Sequence, residues 1–197
     1  MPEAHEQIEH AEHAQHAAGW SKKIALLIAV LALFLSFSET LGKSAQTEAI
    51  DANVKSSDTW AFFQAKDIRR TVLNAAADET TMLAAGLTDP AAKAAIDKQV
   101  DTWRKTAARY ESDPQTREGR KELGERARAE EESRDLAMAR YHHYEIASAA
   151  FQIGIVLASA TVITGVMALA WFAGALGVAG LALLALGLFA PHAVHLV

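Results

Sequence analysis

The feature that most restricts this chain is the stretch 146–190, 45 consecutive residues without Asp, Glu, Lys or Arg. As one helix it would reach about 68 Å, whereas a bilayer core is only about 30 Å thick. Two helices use that length and one does not. Trp171, Phe172, Gly174 and Gly177 gather within residues 171–177. Trp favours the membrane interface and Gly permits a turn, so the break is expected there. The expectation is a transmembrane hairpin with spans at 146–170 and 174–190, closed by Pro191 and followed by a tail at 191–197.

A first apolar segment lies at 24–41, just behind Trp20, Lys22 and Lys23. Its length of about 27 Å suffices for a bilayer, giving an expected span at 20–42. A signal peptide would need a shorter leading region and a small-residue cleavage site. Ser36-Phe37-Ser38 is a poor substitute, so the segment reads as an uncleaved anchor.

Overall hydrophobicity of 51% conceals this segregation, because the region 43–145 carries most of the charge. Acidic and basic residues are interspersed there as on solvated helices, with no strand alternation or hairpin-turn dipeptide. Gly86, then Asp89 and Pro90, end one helix and start another, with Asp89 as N-cap and Pro90 at the first helical position. Asp113-Pro114 repeats the device. Three helices are expected, at 44–85, 90–111 and 114–145. The net charge of −5 and the lack of a basic tract argue against nucleic acid as a partner. Without Cys there is no disulfide, thiolate ligand or thiol nucleophile.

Residues 1–19 form a His/Glu-rich tail. On a helix His5, Glu9, Glu12, His13 and His16 share one face, and the i,i+4 pairs suit a metal ion such as Zn²⁺, Ni²⁺ or Cu²⁺. The competing reading is a solvated end whose polar residues keep it soluble near lipid.

The first polar helix shows a stripe at steps of three and four: Ile50, Val54, Ser57, Ala61, Ala65, Ile68, Val72, Ala75 and Met82, interrupted by Glu79. It is expected to face inward as a coiled-coil-like seam, widened by Trp60, Phe62 and Phe63. The third polar helix has only Leu123, Ala127, Leu136 and Tyr141, diluted by Glu130, Glu131, Glu132 and Arg134. Such a helix needs a partner, in cis or from another copy.

The run Ser57-Asp58-Thr59-Trp60-Ala61-Phe62-Phe63-Gln64-Ala65-Lys66-Asp67-Ile68-Arg69 resembles the signature of an uncharacterised bacterial membrane family, domain of unknown function 4337. The tail sequence IEHAEHAQHA is similar to that family's opening. Phe151-Gln152-Ile153-Gly154-Ile155-Val156-Leu157-Ala158-Ser159 is similar to the head of its hairpin. The resemblance spans nearly the whole chain and implies a membrane protein of three spanning helices. It implies no activity, substrate or cofactor.

Candidate chemistry concentrates in the same run. Asp58, Asp67 and His142 or His143 are acid/base types, but no nucleophile elbow, phosphate loop or metalloprotease motif accompanies them. The plainer reading is a helix–helix contact anchored by Trp60 and Phe63 with a charged rim. Tyr141-His142-His143-Tyr144 reads as an interfacial belt with polar tips towards water. No ionisable group lies deep inside a span, Glu39 sitting at the rim, which argues against an ion-coupled transporter.

Small residues form a row in each span: Ala25, Ala29, Ala32 and Ser36; Gly154, Ala158, Thr161, Gly165 and Ala168; Ala173, Gly177, Gly180 and Gly187. Such rows let membrane helices approach closely.

The expected class is an all-α membrane protein with three transmembrane helices and a central helical-hairpin, coiled-coil-like extramembrane region. The expected function is non-enzymatic: a homo-oligomeric scaffold or accessory subunit in a lipid bilayer, without a cofactor and open to another membrane-protein partner. Contacts are expected at Trp60, Phe63, Ile68, Gly154, Ala158, Gly165, Gly177 and Gly180. The alternatives are metal handling through His5, Glu9, His13 and His16, and an oligomeric pore. Lys22 and Lys23 favour a cytoplasmic N-terminus with the central helices periplasmic, in a bacterial inner membrane.

Overall fold

The computed structural model describes the backbone of residues 3–193 and the side chains of residues 20–193. Four helices follow in order: α1 (Glu3–Ala84), α2 (Pro90–Glu111), α3 (Arg120–Thr164) and α4 (Met167–Phe189). No strand occurs among the described residues. Three of the helices, α1, α3 and α4, are long and apolar enough to cross a membrane. The chain divides into two compact units. One holds α1 as far as Glu48, α3 from Leu136, and α4; the other holds residues 49–135. The His5, Glu9, His13 and His16 side chains lie outside the described residues.

In the unit of residues 49–135, α1 packs against α2 and the first part of α3. Asp89 caps α2, its carboxylate accepting the Ala91 N–H at 2.9 Å, and Pro90 opens the helix. The expected start of the next helix at 114 is incorrect. Asp113 spends its acceptors on a turn instead: its carbonyl takes the Arg117 N–H at 2.8 Å and its carboxylate the Thr116 N–H at 3.3 Å. Arg117 then sits at φ 56, a left-handed conformation that stops helix propagation. The helix begins only at Arg120, with the Gly119 carbonyl accepting the first bond from Leu123. A Cβ at Gly119 would strike the Glu122 carboxylate and the Ser112–Asp113 backbone, so the close approach there requires glycine.

The inward face of α1 in this unit differs from the expected stripe. Ala49, Ala52, Ser56, Thr59, Ala77 and Ala84 are buried, with Phe63, Lys66, Arg70 and Leu73 half-buried between them. As far as Ala77 these positions follow alternating steps of three and four, and Ala84 lies one heptad further, a seam built largely from small and polar residues. The expected stripe lies on the opposite face: Ile68 is 64% exposed and Val72 60%. Apolar periodicity misleads here because α1 takes charged partners on its inward side.

In the other unit the three spans pack on one another through two clusters. Ile24, Ala158 and Ala173 form one, and Leu31, Ala147 and Phe151 the other. The hairpin turn falls at Gly165 and Val166, not at residues 171–177. Gly165 has φ +72, the Gly165 N–H bonds to the Thr161 carbonyl at 2.9 Å, and the Val166 N–H reaches the Thr164 hydroxyl. Trp171 and Phe172 continue α4 and point outward. The physical reason is length. A span starting at 174 would reach only about 24 Å, whereas α4 from Met167 reaches about 34 Å and crosses a core of about 30 Å.

Candidate functional site

The signature run on α1 builds a clamp in the unit of residues 49–135. Phe63 lies edge-on to Trp60, with ring centroids 5.2 Å apart, and against Gly124 of α3. The Trp60 indole N–H donates to the Glu131 carboxylate at 2.9 Å. Cover for both aromatics therefore comes in cis, from α3 of the same chain.

One helical turn further, Arg70 bridges Asp67 and Glu111, both at 3.2 Å. Arg120 closes the ring from α3, with Asp67 at 3.2 Å and two bonds to Glu111 at 3.0 and 3.1 Å. The Arg120 guanidinium also lies over the Phe63 ring, 5.5 Å from its centroid. Lys66 sits over Phe62 and Tyr110 and pairs with Glu118 at 3.5 Å. Three helices thus meet on two arginines and two carboxylates. The hydrogen bonds from Arg120, reinforced by the Arg120 and Arg70 charges, hold the Glu111 carboxyl below its ordinary range. The same bonds, with the Glu111 and Asp67 charges, push Arg120 further up. Beside them the Ser112 hydroxyl, with the Glu122 and Asp113 amides, lowers Glu122. This chemistry is mutual neutralisation between helices. Asp67 is occupied by it, Asp58 stands exposed on α1, and His142 and His143 belong to the other unit, so the sequence-level acid/base set is dispersed.

In the membrane-spanning unit several glycines lie tight against side chains of the neighbouring helices. Added Cβ atoms would come within 2.7 Å of Leu31 at Gly177, of Phe151 at Gly180 and of Tyr144 at Gly187. At Gly154 the nearest atom is Leu31 Cδ1 at 3.2 Å. Ala158 is fully buried against Ile24 and Ala173. Two expectations fail. Gly165 has no atom within 4 Å of its Cβ position, because it makes the turn and not a contact. Ala25, Ala29, Ala32 and Ser36 face outward, since α1 sends the larger Ile24 and Leu31 towards the other two helices and buries Ser38 beside them.

The Tyr141–Tyr144 run is not a uniform interfacial belt either. His143 is 1% exposed and Tyr144 4%, both held against Gly187 of α4. The His143 Nδ1–H donates to the Ala139 carbonyl at 2.7 Å, and Ser38 donates to the Tyr144 carbonyl at 2.8 Å.

The same unit carries a polar cleft that the sequence reading passed over. Its volume is about 440 Å³, and Glu39, Lys43, Tyr141, Glu145, Ser148 and Gln152 line it. Gln152 donates to Glu39 at 3.3 Å, and His142 lies 3.9 Å from Glu145. The Glu145 charge, then burial and a hydrogen bond to Glu145, raise the Tyr141 hydroxyl above its ordinary value and keep it a donor. The available signal was the i,i+4 pair Glu39/Lys43 at the end of an apolar span.

Residues 20–190 match the model of the family described as Domain of unknown function (DUF4337), and the chain belongs to that family. No curated protein matches the chain, and no solved structure does.

Proposed function

We propose that this family member is a non-enzymatic membrane scaffold or accessory subunit that assembles through the outer face of α1. The spans hold it in the bilayer, and the unit of residues 49–135 presents the contact surface. The observation that carries this reading is the exposed stripe on α1. Ile50, Val54, Ile68, Val72 and Met82 all stand in solvent, whereas Trp60 and Phe63 are already covered within the chain. Large apolar residues exposed repeatedly along one helix face mark an interaction site.

A second copy is the occupant we assign. Copies inserted in the same orientation bring their α1 helices parallel, so the stripe meets itself in register. The run Ala61, Ala65, Ile68, Val72 and Ala75 supplies the contact, and the carboxylates of Asp58 and Glu79 stand at its two ends. Like charges there weaken the pairing, and added salt relieves them. Lys22 and Lys23 orient the N-terminus to the cytoplasm, with the extramembrane helices in the periplasm and the bilayer an inner membrane.

The chain has no Cys, so single cysteines report cleanly. Ile68→Cys and Val72→Cys should each cross-link between copies in native membranes under mild oxidant, and more strongly at higher salt. Lys121→Cys, on α3, should not. The double variant Ile68→Lys/Val72→Lys should be monomeric in nanodiscs with unchanged helicity. Wild type that is monomeric in nanodiscs, with no cross-link at 68 or 72, would refute the assembly.

A further inference from the structure

We infer that the cleft lined by Glu39, Lys43 and Glu145 binds the phosphoethanolamine headgroup of a membrane lipid, with an acyl chain laid along the outward small-residue row of α1. This goes beyond the assembly reading and does not rest on it.

Three observations on the membrane-spanning unit converge. The first is place. Glu39 and Lys43 lie where the apolar part of α1 ends, and Glu145 lies where the apolar part of α3 begins. The cleft is therefore at the depth where headgroups lie, and its volume of about 440 Å³ is that of a small-molecule site.

The second is charge. Glu39 and Lys43 have the i,i+4 spacing and order that favour an ion pair on a helix. No such pair forms: Glu39 receives Gln152 at 3.3 Å, and the nearest ring nitrogen to Glu145 is that of His142 at 3.9 Å. The Lys43 ammonium has no ion-pair partner among the described residues. A free ammonium flanked by two carboxylates matches a group with a phosphate and an ammonium a few bonds apart. Lys43 donates to the phosphate, while Glu39 and Glu145 accept from the ammonium. With two carboxylates against one ammonium, the lining repels a headgroup that is only anionic, such as phosphatidylglycerol.

The third is the row Ser36, Ala32, Ala29 and Ala25. It continues the line of Lys43 and Glu39 down α1 by the same steps of four and three, and every member is exposed. Ala149 and Val156 of α3 are exposed along the line below Glu145. A row without side chains beyond Cβ or Oγ leaves a shallow channel for one hydrocarbon chain. This binds the occupant to lipid and separates it from a free phosphoamine.

The test is native mass spectrometry of the full chain released from nanodiscs of equimolar phosphatidylethanolamine and phosphatidylglycerol. Wild type should retain phosphatidylethanolamine at least about fivefold over phosphatidylglycerol. Lys43→Ala and the double Glu39→Gln/Glu145→Gln should bring that ratio near one. Ala32→Leu should reduce total retention by filling the channel while leaving the charges intact. The reversal Glu39→Lys/Glu145→Lys should switch preference to phosphatidylglycerol, a gain that a misfolded protein would not show. Soluble O-phosphoethanolamine at millimolar concentration should not displace the bound lipid. Equal retention of both lipids by wild type, or an unchanged ratio in the Lys43 and glutamate variants, overturns the assignment. Displacement by O-phosphoethanolamine overturns the acyl channel and with it the lipid. If Ala32→Leu instead splits an oligomer and leaves lipid retention untouched, the row belongs to a helix–helix contact and the proposal fails.

Discussion

The two units solve helix packing in opposite ways. In the unit of residues 49–135, α1 turns alanine, serine and threonine inward and fixes its neighbours with a ring of ions around Asp67, Arg70, Glu111 and Arg120. In the membrane-spanning unit, α4 turns alanine and glycine inward and receives Leu31, Phe151 and Tyr144 against them. The difference follows the solvent. In water, ion pairs near the surface are tolerable and give helices a register, although each contributes little by itself. In hydrocarbon, unpaired charge is excluded and apolar surface gains nothing by leaving lipid, so close steric fit holds the helices. The outward stripe of α1 is a consequence of the first solution. Once ions and small residues occupy the inner face, the larger aliphatic residues remain on the outer one.

The comparison breaks most visibly at Gly180. Its Cβ position is 2.7 Å from the Phe151 ring, which is itself fully buried, so Gly180→Leu cannot be absorbed without separating α3 from α4. A loss of about 3 kcal/mol or more is expected, read as earlier unfolding of the spans in a denaturing-detergent titration. Gly165→Ala should cost only about 1–2 kcal/mol. Space is open there, and the penalty is confined to a left-handed φ. Equal costs at the two positions would mean that α3 and α4 do not pack on the glycine face.

An effect between those two is expected from Trp60→Ala in the other unit. It removes the bond to Glu131 and the edge contact with Phe63, at about 2–3 kcal/mol for a half-buried ring. The thermal transition of the extramembrane helices should fall while the detergent titration of the spans stays unchanged. A shift in both would show the two units to be one cooperative block.

The smallest effect is acid sensitivity of the clamp. The carboxyl of Glu111 is depressed in the folded chain, so its contribution to stability is present above its ordinary value of 4.5 and is lost as pH falls below it. Asp113 and Glu122, also depressed, act in the same direction. Helix content of the extramembrane unit should therefore decline below that pH in wild type. Glu111→Gln should be less stable at neutral pH and less sensitive to acid. An acid profile identical to wild type would remove Glu111 from the clamp.

Legibility in the sequence followed the range of the forces involved. The cap at Asp89 and Pro90 was readable because it is satisfied by the Ala91 amide two residues away. The Asp113-Pro114 repeat looked the same, yet it makes a turn, because Glu122 and Gly119 from beyond the window of a local rule complete the loop. Trp60 and Phe63 were recognisable as anchors, while their partners Glu131 and Arg120 lie far along the chain. The cleft at Glu39 and Lys43 escaped notice because half of it comes from α3, more than a hundred positions later.

By itself the sequence determined that this chain is helical, that three of its segments suit a bilayer, and that the inward face of the last span is its glycine row. Each of these depends on composition and periodicity within one segment. Tertiary structure alone decided that the hairpin turns at Gly165, that the aliphatic stripe of α1 faces out, and that the small row from Ala25 to Ser36 is left open. The reason is common to all three. Which face of a helix is inner depends on what its neighbours offer in volume and charge, and those neighbours lie at sequence separations that no local pattern encodes.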